Sequence, residues 1–301
     1  MPDETPAPGQ IERWIRSSAT IIAPVTALSA LLFYFGYVSA RSQFEYFGVD
    51  VDTIGLGTQD YIMRSPQPLL APLLVLTLVG AGAFALHTAT RRRIATAAAS
   101  VLRVARGLSI AGLALLGAGV ILLVIYAQVR DWALYNLVTP LLIALGAALT
   151  AYGSRVRHLA GDALHDTEPA QAQRSLLARR TSSTLIYVLV AVGIFWMTAT
   201  VAEWTGRGLA QYQAQNLGRL PSVILDTKER LYLRSPGIEE TVLPESQGQT
   251  FHYRYRRLRL LIHGGDRMFL VPDTWSASNS TLIVALDGSV RVQFQFQNRR
   301  P

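Results

Sequence analysis

Residues 108–129 read LSIAGLALLGAGVILLVIYAQV, twenty-two positions without one charged side chain. A helix needs roughly 20 mostly apolar residues to cross about 30 Å of hydrocarbon, and this run supplies them. Four other stretches pass the same test: Ala19–Val38, Leu69–Leu86, Trp132–Tyr152 and Leu185–Val201, none of which contains Asp, Glu, Lys or Arg. Tyr34, Tyr37, Tyr126, Trp132, Tyr135, Tyr152, Tyr187 and Trp204 gather at their ends, as interfacial aromatics do. Five crossings are therefore expected.

Composition agrees. Of 301 residues, 50% are hydrophobic and only 16% charged. A water-soluble domain rarely combines the two. The basic excess, 28 Lys+Arg against 20 Asp+Glu, is almost all arginine, since Lys228 is the single lysine. This bias, with abundant Ala, Gly and Leu, is the mark of a high-GC genome and suggests an actinobacterial source. Basic charge can indicate nucleic acid, but here the short-loop arginines flank apolar spans, and no nucleic-acid partner is expected. The chain lacks cysteine, which excludes disulfides, thiolate metal sites and a cysteine nucleophile.

Arginine counts give an orientation. Arg91, Arg92, Arg93, Arg103 and Arg106 lie between the second and third spans. Arg155, Arg157, Arg174, Arg179 and Arg180 lie between the fourth and fifth. The segment after the first span has only Arg41 and Arg64, among Glu45, Asp50, Asp52 and Asp60. The positive-inside rule then places the N-terminus, with Arg13 and Arg16, in the cytoplasm and the C-terminus outside the plasma membrane. The run ending at Val38-Ser39-Ala40 also fits a signal peptide with its cleavage site. Its length and the aromatic cluster Phe33, Tyr34, Phe35 and Tyr37 favour a retained span.

Beyond Glu203 the texture changes to short β-prone runs: Ser222–Asp226, Arg230–Arg234, Glu239–Leu243, Phe251–Ile262, Arg267–Val271, Leu282–Leu286 and Val290–Phe296. His263-Gly264-Gly265-Asp266 and Asp287-Gly288 read as hairpin turns. Within the long run the apolar parity changes near Arg256-Arg257, which predicts a β-bulge. Such strands suggest a small barrel or sandwich. The expected fold class is an α-helical membrane bundle plus a small all-β C-terminal domain. Its divisions are a cytoplasmic tail (1–18), a transmembrane domain (19–203) with outer loop 40–65, and an extracytoplasmic β-rich domain (204–301), tethered by Thr205–Pro221.

The most individual segment is the outer loop, ARSQFEYFGVDVDTIGLGTQDYIMRS at 40–65. Its stretches Tyr46-Phe47-Gly48-Val49-Asp50 and Leu56-Gly57-Thr58-Gln59-Asp60-Tyr61-Ile62-Met63-Arg64-Ser65 resemble a motif of uncharacterised multi-pass membrane proteins of actinobacteria. So does the C-terminal pattern Tyr255, Leu258-Arg259-Leu260-Leu261-Ile262, Phe269-Leu270-Val271-Pro272 and Trp275. The resemblance covers about half the chain and implies the architecture above, without an activity.

Read from its residues, the loop needs no ligand. Gly48 suits an αL cap ending a short interfacial helix. Thr58 suits an N-cap, with Asp60 in the first helical turn, and Ser65-Pro66 a cap and first helical position. The functional alternatives make Tyr46, Phe47, Asp50, Asp52, Asp60, Tyr61 and Arg64 a surface that docks the β domain or a partner, or make the aspartates a hard-cation site. In the inner loop, His158, Asp162, His165 and Asp166 would share one helical face, where zinc is the sharper reading and a solvated face the commoner one. His87 reads as interfacial. Arg254, Arg256, Arg257 and Arg259 read as a solvated basic strand, with anionic lipid or cell-wall polymer as a possible contact.

The small residues of spans two to four, among them Gly80, Gly82, Gly112, Gly117, Gly119, Ala144 and Gly146, point to close helix packing within the chain. Pro140 is expected to kink the fourth span. No phosphate loop, metalloprotease motif, nucleophile elbow or mid-bilayer carboxylate pair is present. No enzyme activity, catalytic residue, cofactor or metal is expected. The favoured function is a membrane-anchored binding or sensing module whose partner is an extracytoplasmic protein, a cell-wall polymer or a second copy. The alternative is an oligomeric channel or transporter subunit with an acidic outer vestibule.

Overall fold

A computed structural model describes residues 8–162, 172–276 and 278–295. Among these are seven α-helices: α1 (Pro8–Glu45), α2 (Val51–Ile54), α3 (Thr58–Arg64), α4 (Pro66–Val124), α5 (Tyr126–Val129), α6 (Tyr135–Asp162) and α7 (Ala172–Gln215). Six strands follow: β1 (Ser222–Thr227), β2 (Glu239–Val242), β3 (Tyr253–Gly264), β4 (Arg267–Pro272), β5 (Leu282–Ala285) and β6 (Val290–Phe294). Among the described residues, five helical segments are long and apolar enough to cross a membrane: Ile22–Glu45, Pro66–Arg93, Ser100–Val124, Tyr135–Arg157 and Thr184–Gln215. The helical bundle with a C-terminal β domain is thus the observed fold class.

The chain divides into two compact units, Leu69–Val201 and the flanking Met1–Pro68 with Ala202–Pro301. In the helical unit, close approach is built on small residues. A Cβ at Gly146 would lie 2.6 Å from the Leu116 amide nitrogen and 2.8 Å from the Gly112 carbonyl, and one at Gly119 would lie 2.7 Å from the Ile143 side chain. Gly193 packs likewise on Ala144 and the Pro140 carbonyl. Lipid tails give helices no hydrophobic reason to associate, so dispersion at short range does it. Gly80, Gly82 and Gly117 meet nothing within 4 Å.

Pro140 lies inside α6. A proline offers no N–H to the carbonyl four residues back, here that of Asn136. The Thr200 hydroxyl donates to that carbonyl at 2.9 Å, so the orphaned acceptor is satisfied by a neighbouring helix, as apolar surroundings demand.

The arginine-rich connection between the second and third apolar segments is helical rather than coil, since α4 runs unbroken through it. The run bends. Tyr152 donates to Thr90 Oγ1 at 3.1 Å, and adjacent Gly153 packs on Ser109. On a straight helix Thr90 and Ser109 would stand about 28 Å apart, farther than two neighbouring residues can bridge.

In the other unit the strands form one antiparallel sheet, ordered β5-β4-β3-β1-β6, with β2 also paired to β3. The bulge expected near Arg256-Arg257 is present: Leu225 pairs with Tyr255 and Val223 with Leu258, and Arg257 takes φ +63°. A second irregularity leaves Leu261 as the extra residue between Leu260 and Ile262. Both bend β3. Leu286 N–H donates to Asp266 O at the tip of the β3–β4 hairpin, and three residues on, Ser289 O accepts from Lys228, next to the start of β3. Three residues reach about 11 Å, whereas a straight strand as long as β3 runs about 36 Å. The sheet is therefore coiled and open, not a sandwich.

The structure differs from the sequence expectation at two places. Asp287-Gly288 does not close a hairpin, because β5 pairs with β4 and β6 with β1; the turn joins opposite edges of the coiled sheet. Residues 230–234 form no strand. Leu231 N–H donates to the Tyr255 hydroxyl and Tyr232 takes φ +50°, which breaks the extended run. Phe296, expected to end the last strand, lies outside the described residues.

Candidate functional site

The outer loop forms part of the β domain's core. Phe269 and Val271 of β4 face one side of the sheet while Met268 and Leu270 face the other, and all four are buried. Val223, Leu225, Tyr255, Leu258 and Val284 cover Met268 and Leu270. The opposite face is covered from the loop: Phe44, Phe47, Val49, Val51, Ile54 and Tyr61 share one buried cluster with Leu261, Phe269 and Val271. Ala210 and Leu217, at and just beyond the end of α7, complete it. Burial on both faces is what the unbroken apolar run Met268–Val271 calls for.

Local chemistry fits the loop to this role. Gly48 takes φ +72° just past the end of α1, which continues to Glu45 with no separate interfacial helix. Asp50 N-caps α2, its Oδ1 accepting from Asp52 N–H at 3.2 Å, and Gly55 ends it in the αL conformation. A Cβ at Gly264 would overlap the Ile54 carbonyl, so the tip of β3 can meet α2 only as glycine. The N-cap of α3 is Gly57 rather than Thr58, and Asp60 Oδ2 accepts the Gly57 N–H at 2.8 Å. Asp60 thus sits in the first turn as expected, where its charge favours the helix dipole.

The residues of the expected docking surface separate into three groups. Phe47 and Tyr61 are buried. Phe47 stacks edge-on against Trp275 at 5.1 Å between centroids, and its carbonyl accepts the Thr281 hydroxyl at 2.7 Å. Tyr61 meets Phe33 and Tyr37 edge-on at 5.3 and 5.4 Å. Burial, then the charge of Asp52, raises its phenol pKa. Tyr46, Asp50, Asp52 and Asp60 are exposed. The three carboxylates serve separate hydrogen bonds, that of Asp52 with the Tyr37 hydroxyl at 3.3 Å. Among the described residues no three His, Cys, Asp or Glu gather as a metal site. His165 and Asp166 of the inner-loop constellation lie outside the described residues, as do the side chains of His158 and Asp162.

Arg64 is half-buried. Its guanidinium lies 5.5 Å from the Phe44 ring centroid and 3.5 Å from Gln43 Oε1. Burial lowers its pKa, against the opposing charge of Asp60. Gln43, itself buried, donates to Gln213 Oε1 at 2.8 Å. The helices cross closely around this chain: a Cβ at Gly206 would overlap the Ser39 carbonyl, and one at Gly36 the Tyr61 carbonyl.

A buried ion cluster that sequence reading missed anchors the sheet. Asp226 is fully buried. Arg254 donates to its two carboxylate oxygens at 2.8 and 3.0 Å, and Arg291 donates to Oδ2 at 2.6 and 3.1 Å. Both arginines are its cross-strand partners. Hydrogen bonds from Arg254, ahead of the opposing effect of burial and of the bonds from Arg291, hold its pKa below the usual carboxylate range. The arginines of β3 are therefore not a uniformly solvated face. Arg254 pairs inward, Arg257 pairs with Asp273 at 2.8 Å, and Arg259 donates to the Leu220 carbonyl at 3.3 Å. A lone aspartate inside an apolar strand, Val223–Asp226, was the available signal.

Compared with known protein families, curated proteins and solved structures, the chain matches none of them.

Proposed function

We propose that this chain is a non-enzymatic binding or sensing module of the bacterial plasma membrane, with its N-terminus cytoplasmic and its β domain outside. The observation that carries the reading is the shared core of loop and sheet. It fixes the β domain to the ends of α1 and α7 together, so a load on the domain reaches two membrane segments. Exposed apolar side chains on the domain, Tyr232 at 71% and Val242 at 66%, offer contact surface to an extracytoplasmic protein, a cell-wall polymer or a second copy. The arginine distribution supports the orientation. The channel alternative needs Asp50, Asp52 and Asp60 to line a vestibule; their capping and hydrogen-bonding duties favour the binding reading.

The chain lacks cysteine, so Tyr232→Cys introduces a unique thiol. In intact cells a membrane-impermeant maleimide is expected to label it; labelling only after lysis would refute the orientation. A photo-crosslinking residue at 232 or 242 is expected to give discrete adducts in cells, unlike one at Leu78 among lipid-facing residues. No adduct at either domain position, together with ion flux through proteoliposomes, would replace this reading with the channel.

A further inference from the structure

The helical unit contains a cavity of about 620 Å³ at its arginine-rich end, where α4 bends beside α6. Its walls are mainly apolar, with Val101, Val104, Leu108 and Val156 among them, and its polar groups include Thr90, Arg93 and Tyr152. The volume is that of a small-molecule site. The polar groups are not scattered: Tyr152 donates to Thr90 Oγ1, and Arg93 lies within a turn of Thr90 on the same helix. Arg93 is exposed and flanked by exposed Arg91 and Arg92. No Asp or Glu occurs between Asp60 and Asp131, so the α4 wall carries positive charge alone.

These features specify an occupant. An apolar hollow is poorly wetted where water finds too few partners. A wholly apolar ligand would match the walls alone, and a free anion the Arg93 charge alone. An amphiphile with an acyl chain and an anionic head satisfies both, as basic pockets between membrane helices do for acidic lipids. We propose that this cavity binds one anionic phospholipid, with an acyl chain along Val101, Val104 and Val156 and its phosphate against Arg93. The site lies wholly within Leu69–Val201 and stands whether or not the β domain binds a partner.

The test uses the full chain in nanodiscs containing phosphatidylglycerol and phosphatidylcholine, followed by native mass spectrometry of the lipid retained after detergent exchange. The wild type is expected to retain a single phosphatidylglycerol in preference to phosphatidylcholine. Arg93→Gln is expected to lower that preference roughly fivefold, the share of one guanidinium near a charged headgroup. Ala89→Trp, which fills the cavity from an exposed lining position, is expected to abolish retention of either lipid. Equal retention of both lipids by the wild type would overturn the proposal, as would an unchanged preference in Arg93→Gln. Thermal stabilisation by inorganic phosphate equal to that by phosphatidylglycerol would also overturn it. Arg93→Gln decides the matter even if Ala89→Trp fails to fold, because its side chain is exposed.

Discussion

The helical unit and the β-bearing unit meet the same need, close packing, with a different balance of means. In the helical unit the contacts are made by absence of side chain: Gly112, Gly119, Gly146 and Gly193 let backbones meet. Where the loop meets the sheet, bulk fills the core, with Phe44, Phe47, Tyr61 and Phe269 in one cluster, and glycine is kept for single crossings such as Gly264 on Ile54. The solvent explains the contrast. Water rewards removal of large apolar surface, whereas lipid does not, leaving dispersion and hydrogen bonds to hold helices together. Polar groups divide the same way. The β domain buries a carboxylate between two guanidiniums, while the helices balance single carbonyls, as Thr200 does for Asn136.

Substitutions should separate the two regimes. Phe47→Ala empties a fully buried aromatic site and should lower stability of the β-bearing unit by about 3–5 kcal/mol. Melting of the full chain in detergent, with proteolysis of the 40–65 loop as a second readout, measures it. A smaller effect is expected from Asp226→Asn, about 3 kcal/mol, at the low end for breaking a buried ion pair because the Arg291 side chain is 47% exposed. This group also sets a pH dependence. Its folded pKa is depressed, so its contribution is present above the unfolded value of about 3.9 and is lost as pH falls through the lower folded value. Wild type should lose stability over that acid window more steeply than Asp226→Asn; parallel acid melts would contradict the buried pairing.

In the helical unit, Gly146→Leu drives a side chain into the Gly112 and Leu116 backbone and should cost about 1–3 kcal/mol. Its effect should appear in detergent melts without exposing the 40–65 loop to protease. Thr200→Val leaves the Asn136 carbonyl without its donor and should cost about 0.6 kcal/mol, the usual worth of such a bond between membrane helices. A loss as large as that of Phe47→Ala would mean that the helices rely on polar contacts more than on small-residue packing.

The apolar segments were readable because lipid imposes length and charge rules on contiguous sequence. The bulge at Arg256-Arg257 was readable because side-chain alternation records it. Pairing partners were not. Asp287-Gly288 has hairpin chemistry, yet whether its flanking strands pair is decided by β1 and β4, far along the chain. The loop's Phe47, Val49, Val51 and Ile54 show an apolar pattern without showing what they cover; Phe269 and Val271 lie more than 200 residues away. The loop's residues allow docking on the β domain as one alternative, but the glycine that permits it, Gly264, shows in the sequence only as part of a turn. Asp226 was inconspicuous for the same reason, since its arginines arrive from two other strands.

The central claim is that loop and sheet form one core. The cysteine-free chain allows a direct measurement with Tyr46→Cys and Thr281→Cys in native membranes, cross-linked by a short bismaleimide. A reference pair, Ser235→Cys with Ser280→Cys, replaces hydroxyls 3.0 Å apart within the β domain. Both pairs are expected to link within one chain before denaturation and neither after it. Efficient linkage of the reference pair with none between 46 and 281 would show the loop lying away from the sheet, and would contradict the account.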